Sequence, residues 1–149
     1  MGFIISLLTG ILSTFSSCIS QKQMPTGDLV SVEYTEHGTM SGYRYYGSVE
    51  LQENGTVLLK AMKKDYDTIL EKKVDKEVLN HIHNIIKEHK MYKYKEHYRP
   101  IFEVLDGYSW HFEAKFSDGG KIYTGGSNAR PSDDGWEIIQ QYLIDLVSK

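Results

Sequence analysis

Apolar and polar residues alternate along several stretches of the chain, which is the pattern of a half-buried β-strand. The first two such stretches are Leu29 to Thr35 and Gly42 to Gln52. Glu53-Asn54-Gly55 then gives a strong turn signal, and the alternation returns in Thr56 to Met62. A further strand is predicted around Thr68 to Lys72. Because tight turns join consecutive strands, they are expected to pair in an antiparallel sheet.

The apolar spacing becomes helical in two later stretches. Asp75 is a good N-cap, and the first helix is predicted to run from there to about His89. Its apolar stripe consists of Val78, Leu79, Ile82, Ile85 and Ile86. A second helix begins after Ser132 or Asp133 and carries the stripe Trp136, Ile139, Leu143, Leu146 and Val147.

The clearest strand lies between the two helices, and its apolar side is formed by Trp110, Phe112, Ala114 and Phe116. Asp118-Gly119-Gly120 follows as a turn into another short strand. A three-residue loop at this turn would place Phe116 opposite Ile122. A three-residue loop at the earlier turn would place Leu51 opposite Val57, which keeps apolar residues together and favours a bulged turn.

These elements predict an α+β domain of two layers. A mostly antiparallel sheet of about five to six strands would form one layer, and the two amphipathic helices would pack on one face of it. The other face is expected to meet water or a partner. Its side chains would be Arg44, Tyr46, Glu50, His111, Glu113 and Lys115.

The start of the chain predicts where the protein works. No charged side chain occurs before Lys22, and Phe3 to Phe15 is an apolar run. Such a run is shorter than the ~20 residues that cross a bilayer and matches the hydrophobic region of a secretory signal. Two serines then precede Cys18, the only cysteine. This order predicts a bacterial lipoprotein, in which residues 1–17 are the signal peptide, residues 18–27 the lipidated cysteine with a polar tether, and residues 28–149 a single α+β domain.

Three other interpretations of the leader stay open. It could be a plain secretory signal, an uncleaved short anchor, or a myristoylation signal, since Met1-Gly2 followed by Ser6 fits that pattern. The lone cysteine favours lipidation, because a disulfide-stabilised secreted domain needs at least two. The predicted location is therefore the cell envelope, with the membrane as a partner through the lipid on Cys18.

Charge and motifs limit the chemistry. The chain has 149 residues and a formal net charge of −3, which argues against a nucleic-acid partner. His81 and His83 would point ~200° apart on a helix, so they cannot hold one metal ion. No Gly-x-Ser-x-Gly motif occurs, and the acidic residues are scattered. The sequence predicts no catalytic residue, no metal and no cofactor.

The candidate binding residues are aromatic and polar. Eleven tyrosines are many for this length, and exposed tyrosines are typical of binding surfaces. Thr124 to Pro131 is a glycine-rich stretch that is either a ligand loop or a structural turn from sheet to helix. The candidates are Tyr46, Trp110, His111, Asn128 and Arg130.

Three motifs mark the last third of the chain, namely Asp106-Gly107-x-x-Trp110, Phe116-x-Asp118-Gly119 and Gly125-Gly126-x-Asn128-x-x-Pro131. Together with the leader and Cys18, they resemble small bacterial lipoproteins of the Bacteroides type, whose domain has no known function. The resemblance implies an envelope location and no known activity, and it assigns no functional residue.

The sequence thus predicts a function class only: a non-catalytic module that binds a protein, peptide or glycan at the envelope. One alternative is a small hydrolase built on His37, His97 and His111 with nearby acids. Another is an inhibitory module that covers a partner through the Arg130 loop. A deep pocket that holds two or three of these histidines and acids within hydrogen-bond reach would favour the hydrolase, and a flat, tyrosine-rich exposed sheet face would favour binding.

Overall fold

The computed structural model describes residues 22–39, 42–62, 68–104 and 106–149. Cys18 and the predicted signal peptide lie outside these residues. The described chain forms one sheet of seven strands and two α-helices, with a 3₁₀ turn at Met91–Lys93. The elements are β1 Leu29–His37, β2 Tyr43–Leu51, β3 Val57–Met62, β4 Ile69–Val74, α1 Glu77–Glu88, β5 His97–Tyr98, β6 Ser109–Phe116, β7 Lys121–Ser127 and α2 Gly135–Ser148.

The strands lie in the order β4-β3-β2-β1-β6-β7-β5. Every neighbouring pair is antiparallel except β5 and β7, which are parallel, so the sheet is mixed. The fold class is α+β, as the sequence predicts, but the sheet has seven strands rather than five or six. The additional strand is β5, whose two residues are too few to show an alternating pattern.

Both helices pack on one face of the sheet. The predicted stripe of α1 is buried, whereas the stripe of α2 is buried at Ile139 and Leu143 and only partly buried at Trp136, Leu146 and Val147. Leu79, Ile82 and Ile86 of α1 and Ile139 and Leu143 of α2 are at most 1% exposed. They meet buried residues of the four central strands, among them Val32, Tyr34, Val49, Leu59, Phe112 and Ala114. Full burial of one such aliphatic side chain contributes about 1.5–3 kcal/mol, so this layer contact is the main source of stability.

An aspartate carboxylate accepts a backbone hydrogen bond at the start of each helix. Asp75 Oδ1 accepts a hydrogen bond from the backbone N–H of Glu77 at 2.8 Å. Asp133 Oδ1 does the same for Gly135 at 2.8 Å. Each bond satisfies a backbone donor that has no partner inside the helix. The N-cap positions themselves are Lys76 and Asp134, one residue after Asp75 and Asp133, and neither makes a side-chain cap hydrogen bond.

The register of the first hairpin is confirmed. Leu51 lies opposite Val57 and Val49 opposite Leu59, around a three-residue loop that ends at Gly55. Gly55 has a φ of +82°, a left-handed conformation that favours glycine.

The predicted register of the second hairpin is wrong by two residues. Ile122 lies opposite Ala114, and Phe116 bonds to Gly120 instead. The left-handed position is occupied by Gly119, at φ +82°, so the loop is 117–119 rather than 118–120. Asp118 Oδ1 accepts from the N–H of Gly120 at 2.8 Å, just as Asn54 Oδ1 accepts from that of Thr56 at 3.0 Å. The two hairpins are therefore built alike.

The sheet has two unlike ends. The hairpin end contains the tight turns 52–56 and 117–120, and the loop end contains residues 99–104, 106–108 and 128–134 of the longer connections. The N-terminal segment is fixed at the hairpin end, where Asp118 Oδ2 accepts from the N–H groups of Thr26 and Gly27 at 2.9 and 3.0 Å. The ordered chain thus begins before residue 28.

Candidate functional site

The side of the sheet that the helices leave uncovered, here called the open face, carries polar side chains along β2, β1 and β6. Tyr46, Glu50, His111, Glu113 and Lys115 are half-buried or exposed there, while their neighbours in the strands are buried in the core. This agrees with the predicted second face of the sheet. Arg44 differs, because it lies beside Glu36 at a strand bulge near the loop end.

Five side chains form a continuous polar chain across the three strands of the open face. The Thr35 hydroxyl shares a hydrogen bond with His111 Nδ1 at 2.7 Å. His111 Nε2 lies 3.2 Å from Glu33 Oε1. Tyr46 Oη lies within donating distance of both Glu33 Oε2, at 3.4 Å, and Ser48 Oγ, at 3.2 Å. Two of the predicted binding residues, Tyr46 and His111, therefore belong to one network.

Charges beside the polar chain are paired. Glu113 contacts Lys115 at 2.9 Å and Lys121 at 3.1 Å. Partial burial opposes ionisation of Glu113, but the two ammonium groups outweigh it and hold the pKa of this carboxyl below its usual range. Lys60 pairs with Glu71 at 3.4 Å across the β3–β4 pair. Opposite charges thus compensate each other in these pairs on the open face.

Tyrosines border the polar chain on both sides. Tyr123 is 45% exposed, and its ring is stacked near that of His111 with 6.2 Å between centroids. On the other side, Tyr43 is 42% exposed and meets Tyr46 edge-on at 5.2 Å. Exposed tyrosines offer large contact area with a polar tip, which suits a binding surface.

The three histidines of the predicted hydrolase do not converge in the described part of the chain. His37 packs its ring on Tyr43 at 4.6 Å, and His97 belongs to the short edge strand β5. The depression in the open face is lined by residues that include Glu33, Tyr46 and Ser48, but by none of these histidines.

Arg130 points inward at the loop end and is bound by its own chain. It donates to Tyr34 Oη at 2.6 Å and to Glu36 Oε2 at 2.5 Å, and its guanidinium lies 3.9 Å from the centre of the Trp136 ring. Tyr108 covers it at 4.6 Å. The side chain is only 18% exposed. Burial disfavours the charge, but the contacts with Tyr34 and Glu36 outweigh it and raise the pKa of Arg130.

Trp110 and Asn128 hold the same loop end together. Trp110 is buried, and its indole N–H donates to the Ala129 carbonyl at 2.8 Å. Asn128 has a φ of +53°, and its Oδ1 accepts from the N–H of Tyr108 at 2.9 Å. A Cβ at Gly107 would lie 1.6 Å from that same oxygen. Trp110, Asn128 and Arg130 are thus used by the fold and are separate from Tyr46 and His111.

The glycine-rich stretch has a structural reason. A Cβ at Gly125 would lie 2.8 Å from the Trp110 carbonyl oxygen. One at Gly126 would lie 2.7 Å from the carbonyl oxygen of Tyr98 and 2.8 Å from that of Ala129. Real Cβ atoms do not come this close to backbone, so glycine is needed where β7 passes between its neighbours. The glycines therefore have a structural role, but Gly125 and Gly126 belong to strand β7, which runs to Ser127, so the predicted turn from sheet to helix begins only after that residue.

A second polar cluster joins the end of α1 to the start of α2. His89 Nδ1 lies 3.0 Å from Asp133 Oδ2 and 3.4 Å from Asp134 Oδ1, and the Tyr94 hydroxyl donates to Asp133. One ligand atom from each of His89, Asp133 and Asp134 would be available to a metal ion. Both oxygens of Asp133 are already hydrogen-bonded within the chain, so the cluster acts as an inter-helix cap.

Replacing Asp133 by Asn should change how stability depends on pH. Burial opposes the charge of Asp133, but bonds from Tyr94, Gly135 and His89 outweigh it and lower the pKa of the carboxyl. A lowered folded-state pKa gives stability that is present above the unfolded value and lost as the pH falls through the folded one. Urea unfolding should therefore show Asp133→Asn below wild type by about 1 kcal/mol at about pH 6, with the gap closing below about pH 4.

Asp134→Asn is the matched control, because Asp134 is 67% exposed and lies farther from His89. It should leave the unfolding curve nearly unchanged at both pH values. A constant gap between Asp133→Asn and wild type down to about pH 3 would contradict the role of the ionised carboxylate.

No helix in the described residues is long and apolar enough to cross a membrane. The chain matches no protein-family model, and no curated protein sequence is significantly similar to it.

Proposed function

We propose that this chain is an exported protein of the cell envelope, attached to the membrane by lipid on Cys18, that binds a protein, peptide or glycan without catalysis. The observation that carries the binding role is the open face. Its hydrogen-bonded polar chain of Thr35, His111, Glu33, Tyr46 and Ser48 is bordered by exposed tyrosines. A sheet face that is left uncovered by helices and is lined by ordered polar groups suits recognition of a partner surface. The leader and the lone cysteine support the location.

The open face favours binding because its side chains are already ordered. Each hydroxyl, imidazole and carboxylate of the polar chain is hydrogen-bonded to a neighbouring side chain, so little side-chain entropy is lost when a partner binds. The compensated charges also argue for a partner that is not strongly ionic. Tyr46 and Tyr123 then supply the aromatic contact area that concentrates binding energy.

A hydrolase is the second candidate, because His111 lies between a hydroxyl and a carboxylate, as the base does in a nucleophile–His–acid triad. Thr35 is only 2% exposed, however, so its hydroxyl is not presented to a substrate carbonyl. We therefore assign this hydrogen bond to positioning of the imidazole on the open face.

Photo-crosslinking tests the binding role. The full chain, carrying a photoreactive phenylalanine at Tyr46 or Tyr123, is expressed in its native cells and irradiated. Both sites should give discrete crosslinked products, while the same group at Asn80, exposed on α1, should give none. Tyr46→Ala and Tyr123→Ala should each weaken binding of the captured partner about tenfold or more, as expected for tyrosines at an interface.

Two results would count against this proposal. Crosslinks that form from Asn80 as readily as from the open face would move the interface to the helical layer. Hydrolytic activity that is lost in Thr35→Val and His111→Ala, with partner binding intact, would support the hydrolase.

A further inference from the structure

Hydrogen bonds to Asp118 hold the N-terminal segment against the hairpin end. A glycine in each of the two segments, Gly27 and Gly120, allows their close approach. Besides the two backbone donors, the Thr26 hydroxyl donates to Asp118 Oδ2 at 3.0 Å. A Cβ at Gly27 would lie 2.6 Å from the Asp118 nitrogen, and one at Gly120 would lie 2.6 Å from Pro25 Cβ. The bond from Gly120, followed by those from Gly27 and Thr26, lowers the pKa of Asp118 and keeps the carboxylate charged. We call this arrangement the Asp118 clamp.

The contacts continue toward the N-terminus. Met24 packs against the core, and Lys22 Nζ donates to the Tyr94 carbonyl at 2.9 Å, in a groove that the start of β7 also lines. The chain from Lys22 onward is therefore part of the folded domain and does not act as a loose tether.

The remaining distance to the predicted lipid site is short. Lys22 comes four positions after Cys18, and these four Cα-to-Cα steps span at most about 14 Å when fully extended. Without the Asp118 clamp, the free segment would extend over the ten Cα-to-Cα steps from Cys18 to Asp28, with a reach of about 35 Å. The clamp thus sets how far and in which direction the domain stands from any anchor on Cys18.

We propose that the hairpin end faces the membrane and the loop end points away from it. This orientation rests on the lipid attachment proposed above. The eight residues of β6 span about 26 Å between the two ends, so the loop end stands that much farther from the lipid surface. Ile101 and Phe102, which are 96% and 82% exposed on the loop end, then face outward instead of entering the bilayer.

Site-specific quenching tests the orientation. The full, lipidated chain carries one new cysteine, Glu53→Cys at the hairpin end or Glu103→Cys at the loop end; both positions are exposed. A lipidated Cys18 has no thiol, so a bimane label goes only to the new cysteine. The protein is reconstituted into phosphatidylcholine–phosphatidylglycerol vesicles that carry a spin label on the lipid headgroup, and flotation confirms attachment.

Quenching should be at least threefold stronger at Glu53→Cys than at Glu103→Cys. Asp118→Ala, checked for folding by circular dichroism, should still float but show similar quenching at both positions, because the tether is longer. Equal or reversed quenching in protein that floats would overturn the orientation while leaving lipid attachment intact. Failure to float, with Cys18→Ser behaving as wild type, would overturn lipid attachment and the orientation together.

Discussion

Arg130→Ala should lower the free energy of unfolding by about 3–5 kcal/mol, because it leaves the carboxylate of Glu36 buried without its main partner. The Glu36 side chain is 11% exposed, and Arg130 is its closest cation at 2.5 Å. The substitution also removes a hydrogen bond to Tyr34, whose ring is fully buried, and the cation–π contact with Trp136. Urea unfolding followed by tryptophan fluorescence at neutral pH measures the loss.

Arg44→Ala is the matched control, because Arg44 contacts the same carboxylate from the solvent side. It lies 3.6 Å from Glu36 Oε1 and is 58% exposed. An exposed ion pair contributes about 0–1 kcal/mol, so this variant should unfold close to wild type. Similar losses in the two variants would show that Arg130 is not the buried partner of Glu36. Arg130→Lys should recover only part of the stability, since an ammonium cannot reproduce the planar, two-sided contact.

Gly126→Ala should destabilise the protein by about 3 kcal/mol. The new methyl group would lie within 2.8 Å of two backbone carbonyl oxygens, those of Tyr98 and Ala129. Neither can rotate away as a side chain can, so β7 must move relative to β5 or the loop must shift. Thermal or urea unfolding measures the loss. In the Gly126→Ala protein, amide hydrogen exchange within the sheet should be fastest in the parallel β5–β7 pair.

Gly38→Ala offers the comparison for Gly126→Ala. Among the described residues, its Cβ would meet the Arg44 side chain, at 3.1 Å, which is flexible and mostly exposed. The expected loss is below about 1 kcal/mol. Equal effects at Gly38 and Gly126 would mean that the exchange of glycine for alanine in itself, and not the contact with the two backbone carbonyls, decides the cost.

The period of the hydrophobic pattern predicted most of the fold. Six strands and both helices follow from alternation or helical spacing, and the N-terminal carboxylates Asp75 and Asp133 follow from capping chemistry. The register of the first hairpin could be chosen because apolar pairs agreed with only one loop length. In the second hairpin two consecutive glycines each allow a left-handed residue, and the sequence pattern alone did not select Gly119.

The candidate site was predictable only in part. Tyr46 and His111 could be placed on a polar strand face, but their link through Glu33 requires the pairing of β1 with β6. Thr35 and His111 are 76 residues apart in the chain, and no local signal joins them. Arg130 was misleading for the opposite reason: a cation in a glycine-rich loop looks exposed, and its partners Tyr34 and Glu36 come from a strand that precedes it by more than 90 residues.

The central place of β1 has a consequence for biogenesis. Its two neighbours are made at very different times, since β2 follows at once, whereas β6 is synthesised more than 70 residues later. As the chain emerges N-terminus first, a meander of β1 to β4 can assemble in which β1, the central strand of the complete sheet, is still an edge strand without a partner on one side. An unpaired strand edge can pair with strands of other chains, so the nascent protein is open to aggregation until β6, which ends at Phe116, has emerged.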